Sequence, residues 1–348
     1  MSSSPATWRK RSRRGQVGAD PYQLPPADGH DHAPWEAVAA PSLSQAELEA
    51  VCAKHGLDGQ AITAQAATGV INTIYLVGDE LVLRVPRNIE AGIDHTLTES
   101  VAAPTAHAVG VRTPRLIVFD DDRDILPVPF TVYERSRGVS LAVDRGPSAA
   151  VAGVYKELGR DLARLHHTVH ECEDPQRSLK GLSRIDPLPL IEALSETNLI
   201  GSTTEQWLAG CFDELWPAVE ASTAFRRFVH NDAQPSNVMA EAGEYCALID
   251  WGETGWGDPA FEFRHMPLSA VPYALAGYRE IAPLDGDDGA EARILWDHLG
   301  WAFLRLTERD GTQKYDWAAP RLARILDVME FAFSRQGSGW LGTMRRAR

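Results

Sequence analysis

No apolar run in these 348 residues approaches the roughly 18 to 20 consecutive apolar positions needed to cross a bilayer. None follows the basic stretch near the start, as the core of a secretion signal would. No membrane partner is therefore expected. Cysteine is scarce. Cys52, Cys172, Cys211 and Cys246 stand apart with no Cys-x-x-Cys pair, which argues against a structural zinc site and a disulfide framework. A reducing cytoplasm is the expected compartment. Positive charge is in deficit, with 34 Lys and Arg against 48 Asp and Glu. Five of those positive charges sit in Trp8-Arg9-Lys10-Arg11-Ser12-Arg13-Arg14, and removing them from a net −14 leaves −19 for the rest. So acidic a body is a poor partner for nucleic acid, and the basic run reads as part of a solvated tail. No internal repeat is present.

Residues 1–40 lack hydrophobic periodicity and read as a disordered tail; residues 336–348, rich in Gly and Arg, read as a loose end. Between them, Ser44-Gln45-Ala46-Glu47 is a capping-box pattern opening a helix through Val51. Residues 62–67, 74–77 and 81–85 are short apolar runs parted by turn residues, a β-meander. Residues 116–119, an acidic turn from Asp120 to Asp124, and residues 130–134 continue the sheet. Helical spacing marks residues 96–109 and the Leu158, Leu162, Leu165 face. It also marks a stripe of Trp207, Leu208, Cys211, Phe212, Leu215 and Val219, then residues 268–281, 290–309 and 317–333. Pro104 should kink or shorten the first of these helices, and residues 172–204 read as irregular. Strands first and helices after define an α+β fold with two unequal lobes, a sheet-bearing N-lobe over 41–134 and a helical C-lobe over 135–335.

Chemistry concentrates between Phe228 and Asp258. His230-Asn231-Asp232 followed by Asn237 has the spacing His-x-Asp-x-x-x-x-Asn of a kinase catalytic loop, in which Asp takes a hydroxyl proton and Asn holds magnesium. That spacing arises by chance in roughly four chains per hundred, so the next segment decides. Val238-Met239 and residues 245–249 flank Ala240-Glu241-Ala242-Gly243-Glu244 and read as a β-hairpin. Folding it brings Asn237, before the first strand, beside Asp250, at the end of the second, and both offer oxygen to Mg²⁺. The bland alternative, turn residues around Pro235 and a strand-ending Asp250, leaves this shared position unexplained.

The segment resembles the Brenner-type loop of the aminoglycoside phosphotransferase and choline kinase superfamily, small-molecule kinases with a protein-kinase-like fold. The usual family pattern, His-Gly-Asp, Asn, Ile-Asp-Trp and Gly-Asp-Pro, is met by His230-Asn231-Asp232, Asn237, Ile249-Asp250-Trp251 and Gly257-Asp258-Pro259. Asn231 replaces the common Gly, a tolerable exchange because Asn enters left-handed backbone readily. The resemblance implies a bilobal kinase-like fold, ATP or GTP as donor, Asp232 as catalytic residue with His230 bracing its loop, and Asn237 and Asp250 as Mg²⁺ ligands. It implies that Arg84 binds phosphate and that Glu99, eleven residues before Gly110-Val111-Arg112-Thr113-Pro114, pairs with Arg84. Tyr133, Glu134 and Arg135 would line the adenine site. Gly69 and Asn72, within residues 68–73, resemble the family's nucleotide-covering loop, although a plain hairpin turn reads equally well there. His166 and His167 close a helix that resembles the one before the catalytic region, and read as histidines satisfied by a carbonyl. Asp258 is expected to tie down the backbone behind the metal loop.

The expected acceptor is a small-molecule hydroxyl. Glu253, Asp258 and Glu262, with Asp285, Asp287 and Asp288 farther on, favour a cationic one. Ile249-Asp250-Trp251-Gly252-Glu253 resembles antibiotic-phosphorylating members more than choline kinases, so an aminoglycoside or other antibiotic comes first and choline, ethanolamine or homoserine second. Two other classes stay open. A metal-dependent hydrolase could use His230, Asp232 and Asp250, with His265 the one further ligand in view. An inactive nucleotide-binding regulator would usually lack one of Asp232, Asn237 and Asp250, and all three are present.

Overall fold

The computed structural model describes residues 39–65, 71–142, 149–307, 322–335 and 337–340. Gly69 and most of both terminal segments lie outside the described residues. Helix α1 (Gln45–Lys54) opens on its capping box: Ser44 Oγ accepts the Glu47 N–H at 3.3 Å, and Glu47 Oε2 accepts the Ser44 N–H at 2.7 Å. Strands β1 (Ile62–Ala64), β2 (Asn72–Val77) and β3 (Leu81–Pro86) form the meander. After helix α2 (Glu90–Ala108), β4 (Leu116–Asp120) and β5 (Phe130–Glu134) complete an antiparallel sheet in the order β1-β2-β3-β5-β4. Leu83 and Val85, two positions apart, fall on one face with Tyr75, Val77 and Val132, and pack against Val51 and Cys52 of α1. Arg84, between them, is left for the opposite face.

Helix α2 starts at Glu90, earlier than its periodicity suggests, and runs through Pro104 instead of breaking there. Gly92 makes the early start possible, since a Cβ there would come within 2.6 Å of the Arg87 carbonyl. Pro104 cannot donate to the preceding turn. Ala102, Ala103 and Ala106 are nevertheless buried in the larger core, and that burial holds the last turns.

The larger lobe follows with β6 (Val139–Ser140), α3 (Ala149–Thr168), β7 (Lys180–Gly181), α4 (Pro187–Glu196), α5 (Ser202–Ala221) and β8 (Arg227–Val229). Then come the hairpin β9 (Val238–Glu241) and β10 (Glu244–Leu248), β11 (Gly255–Gly257), α6 (Val271–Ile281), α7 (Ala290–Thr307) and α8 (Ala323–Phe333). Helix α4 lies in the stretch expected to be irregular; Asp186 accepts the Leu188 N–H at 3.0 Å and Pro187 fills the first turn. Helix α5 buries Leu208, Phe212, Leu215 and Val219, but Trp207, on the flank of that face, is 65% exposed. Helices α3 and α6 meet at glycines, where a Cβ on Gly159 would collide with the Ala274 carbonyl and one on Gly277 with that of Lys156. Two cores, one beneath the sheet and one among the helices, give a bilobal α+β fold. Among the described residues no helix is long and apolar enough to cross a membrane.

Candidate active site

The hairpin between the lobes is built as its sequence implies. Val238 pairs with Leu248, Met239 with Ala247 and Glu241 with Glu244, and the turn residues Ala242 and Gly243 have positive φ of 50° and 83°. Beyond the ladder the Ile249 N–H donates to the Asn237 carbonyl at 2.9 Å, so Asn237 and Asp250 leave the hairpin as neighbours. Asn237 Nδ2 donates to Asp232 Oδ2 at 2.7 Å and to the Asp232 carbonyl at 2.9 Å. Its Oδ1 meets the Ser236 hydroxyl at 3.4 Å. Asp250 adopts left-handed backbone (φ 69°), and its carboxylate, 42% exposed, accepts from Arg84 Nη2 at 2.9 Å. An amide oxygen and a carboxylate are hard donors, and this pair fits Mg²⁺.

His230 is committed to the backbone. Its Nδ1 accepts the Asp232 N–H at 3.2 Å and its Nε2 lies 3.1 Å from the Ile249 carbonyl. A carbonyl can only accept, so the assigned tautomer carries its proton on Nε2 and the ring is neutral. Burial lowers its pKa in the same sense. The ring also stands edge-on to Trp251, with centroids 4.5 Å apart. His230 therefore has no nitrogen left for a substrate and acts as a brace. Asp232 differs: enclosure, aided by the Asp250 and Glu253 carboxylates, raises its carboxyl well above the ordinary value. Hydrogen bonds from Gln234 and Asn237 oppose that rise, and a cation held beside it would oppose it further.

On the sheet side, Arg84 Nη1 lies 2.6 Å from Glu99 Oε1, and the two side chains are only 13% and 2% exposed. Burial pushes Glu99 up to about 7, with Arg84 pulling down and Asp250 adding to the rise. Burial also works against the Asp250 charge, but the Arg84 guanidinium wins and holds that carboxyl below its usual value. Tyr133 is buried with its ring 6.0 Å from the Arg84 guanidinium. Its hydroxyl is raised well above the ordinary value by burial and by Glu99. Glu134 pairs with Arg115 at 2.7 Å; its N–H donates to the Arg115 carbonyl at 2.9 Å and that of Arg135 to Glu80 at 2.7 Å. Asn72 is the first residue of β2, opposite Pro86, and not part of the loop before it.

Several partners of this site carry no local sequence signal. His95 Nε2 on α2 pairs with Glu253 at 3.1 Å, and Asn231 Nδ2 donates to the Glu253 carbonyl at 3.2 Å. Glu262 accepts the His230 N–H and lies 3.1 Å from His166 Nε2. His166 is thus satisfied by Glu262 and by the Tyr278 hydroxyl at 3.0 Å, not by the expected carbonyl. Asp258 does hold the backbone, accepting the Ala260 N–H at 2.9 Å, and it also pairs with Arg184 at 2.8 Å. His265 Nδ1 faces Arg324 Nη2 at 3.2 Å, and burial together with Arg324 and Arg264 lowers its pKa far below normal. Those cations make it a poor metal ligand. Asp120, Asp122 and Asp124 are the one trio of close His, Cys or acidic ligand atoms among the described residues, and Lys54 Nζ sits 2.7–2.9 Å from each. Among the described residues, then, neither His230 nor His265 has a ring nitrogen placed to serve the hydrolase alternative as a ligand. Cavities of about 370 Å³ near Pro104 and Phe119, and about 690 Å³ near Arg112 and Tyr245, contain none of the site residues.

A strand cation held by a helix carboxylate, facing an Asp, Asn and Asp gathered by a hairpin, defines the architecture of a protein-kinase-like phosphotransferase. The chain belongs to the phosphotransferase enzyme family, which matches residues 63–306. Nucleotide-dependent phosphoryl transfer to a hydroxyl is the activity at the level of that family. Among solved structures, the GDP complex of an aminoglycoside 2′-phosphotransferase-IIIa mutant is 18% identical, with a TM-score of 0.58, covering 84% of this chain and 100% of the other. A choline/ethanolamine kinase family protein from Mesorhizobium loti is 15% identical, with a TM-score of 0.58 and coverage of 86% and 99%. A spectinomycin phosphotransferase in complex with ADP and spectinomycin is 12% identical, with a TM-score of 0.53 and coverage of 87% and 98%. At such identities the likeness is one of fold. No curated protein matches the chain in sequence.

Proposed function

We propose that the protein phosphorylates a hydroxyl group of a small molecule, using ATP or GTP with Mg²⁺. The observation that carries this reading is the closure of the hairpin on Asp232, with Asn237 bonded to it at 2.7 Å and Asp250 shared with the Arg84–Glu99 pair. Asp232 orients the acceptor hydroxyl and takes its proton. Arg84, held by Glu99, binds donor phosphate, and Tyr133, Glu134 and Arg135 border the adenine. Asn237 and Asp250 would hold Mg²⁺, which supplies neutralisation of phosphate charge. Catalysis is then chiefly positioning and charge stabilisation.

For an antibiotic acceptor, the support is the stretch from Ile249 to Glu253 and the aminoglycosides and spectinomycin named for similar structures. The charge argument for a cationic acceptor is weaker than the sequence implies, because most of the acids behind it are engaged within the protein. Glu253 is engaged by His95, Asp258 by Arg184, Glu262 by His230, Asp285 by Arg227 and Asp287 by Arg279. The test of the reading is calorimetry of ATP binding with and without Mg²⁺. Asp250→Asn should abolish the Mg²⁺-dependent part of the affinity while circular dichroism stays unchanged. Undiminished Mg²⁺ dependence would remove Asp250 from the metal site and the proposal with it.

A further inference from the structure

The residue two places after Asp232 donates to its carboxylate. Gln234 precedes Pro235, and a proline pushes the residue before it into extended backbone; Gln234 has φ −76° and ψ 162° and stands before the short turn Pro235–Asn237. Extended backbone sends alternate side chains to opposite sides. Ala233 is fully buried in the larger core, so Asp232 and Gln234, on either side of it, turn outward together and are both half-buried. Gln234 Nε2 lies 3.0 Å from Asp232 Oδ2. A carboxylate only accepts, so the amide is assigned with its nitrogen towards Asp232.

Every polar atom of Asp232 but one is thereby engaged. Its N–H donates to His230 Nδ1 at 3.2 Å and its carbonyl accepts from Asn237 Nδ2 at 2.9 Å. Its Oδ2 accepts twice, from Asn237 Nδ2 at 2.7 Å and from Gln234 Nε2 at 3.0 Å. Among the described residues none donates to Oδ1. The charges acting on Asp232 are the Asp250 and Glu253 carboxylates. Like charges push this side chain away from the metal loop, and the two N–H donors hold it in place against that push. An oxygen that already accepts two N–H groups is poorly placed to take a proton as well, because that proton would face both donors. Oδ1 meets no such obstacle. Asn237 also serves the proposed metal site, so Gln234 is the donor that can be removed without touching a metal ligand.

We infer that Gln234 is a positioning residue for the transfer: with Asn237 it occupies Oδ2 of Asp232 and leaves Oδ1 as the atom that takes the acceptor's proton. This rests on the phosphotransfer reading and deepens it by assigning the base to one atom. The acceptor O–H bond breaks and its proton passes to Oδ1, while the electron pair left on that oxygen forms the bond to the γ-phosphorus. The bond from that phosphorus to the bridging oxygen breaks, and its electron pair leaves on the nucleoside diphosphate. Gln234 touches none of these atoms. It acts by fixing the plane of the carboxylate that does.

The test compares wild type with Gln234→Met, which keeps the length of the side chain and removes its N–H donors. ATP consumption in the presence of Mg²⁺ is followed with water as the acceptor and with kanamycin, spectinomycin, choline and homoserine. In Gln234→Met kcat should fall about tenfold or more, the worth of one hydrogen bond to a charged group. The KM values for ATP and for the acceptor, and the thermal midpoint, should stay as in wild type, because Gln234 binds neither substrate. Gln234→Glu, which sets a like charge against Asp232, should lose more than Gln234→Met. A second measurement needs no turnover and decides if wild type accepts none of these compounds. The side-chain amide signal of Gln234 in proton–nitrogen correlation spectra, identified by its loss in Gln234→Met, should move in Asp232→Ala, which removes the oxygen it donates to. An unmoved amide signal overturns the inference. So does an unchanged kcat in Gln234→Met, a Gln234→Glu protein as active as wild type, or a loss that falls on the acceptor KM instead of kcat, which would make Gln234 a binding group for the acceptor. Failure of the phosphotransfer reading shows separately, as absence of Mg²⁺-dependent ATP binding in the wild type.

Discussion

Asp232 and Arg84 divide the work between acceptor and donor, and each should fail in its own way. Asp232 is bonded to Asn237 and touches neither Arg84 nor Glu99. Asp232→Asn should therefore lower kcat by orders of magnitude with little change in the KM for ATP, as expected of a group acting on the acceptor hydroxyl. Steady-state kinetics with near wild-type turnover would remove Asp232 as the base. Arg84→Ala should instead weaken ATP binding by calorimetry. Glu99→Ala should do so less, because Asp250 still holds Arg84 at 2.9 Å. Unchanged nucleotide affinity in Arg84→Ala would leave Arg84 a purely structural charge. Asn231 shows why it can stand where the family usually has Gly: φ is 71°, and its side chain adds a bond to the Glu253 carbonyl that Gly could not make.

At the scale of elements, the capping box of α1 and the β9–β10 hairpin were legible because their signals are local, a few residues of fixed spacing. Helix α4 was missed, because the stretch 172–204 reads as irregular and charged, although Asp186-Pro187 carries the signal of a helix start. What the sequence could not show is pairing at long range, such as His166 with Glu262 or Arg184 with Asp297, 113 positions apart. The same holds for His95, which ties α2 to the metal loop through Glu253 and packs where a Cβ on Gly252 would come within 2.9 Å of it. Burial opposes the His95 charge, but the hydrogen bond to Glu253 and the nearby Asp250 and Glu99 carboxylates outweigh it and raise the pKa above 6.5. Burial likewise opposes the Glu253 charge, yet His95 holds that carboxyl below 4.5. A raised histidine stabilises fully below its unfolded value and loses that contribution as pH rises through the folded value. A lowered carboxylate contributes above its unfolded value and loses that as pH falls through the folded one. The thermal midpoint of wild type should thus exceed that of His95→Gln in mildly acidic buffer, and the gap should close as pH is raised through the elevated folded value of His95. A gap independent of pH would mean that His95 contributes packing alone.

At the scale of the whole molecule, net charge is a poor guide to the cleft, because the acids nearest the metal loop, Glu253, Asp258 and Glu262, are engaged by His95, Arg184 and His230. Arg184 is the clearest case. It is 12% exposed, pairs with Asp258 at 2.8 Å and Asp297 at 3.0 Å, donates to the Ser222 hydroxyl at 3.0 Å, and lies over the Phe261 ring at 4.8 Å. One side chain thereby joins the segment before α4, the end of α5, the turn behind the metal loop and α7. Arg184→Ala would leave Asp258 and Asp297, 4% and 3% exposed, without that partner, and Arg293 Nε, 3.3 Å from Asp258, could compensate only one of them. Breaking a buried pair by removing one member costs about 3 to 5 kcal/mol. In a bilobal protein that loss should fall on the larger lobe, so a single unfolding free energy is the wrong quantity to read. Urea titration followed by tryptophan fluorescence should show an earlier transition for the larger lobe, which holds Trp216, Trp251 and Trp296. Adding Asp297→Asn to Arg184→Ala should restore part of the loss by removing the stranded charge. An Arg184→Ala protein with the wild-type urea midpoint would show that Arg293 and water suffice to hold both carboxylates, and that the junction does not depend on Arg184.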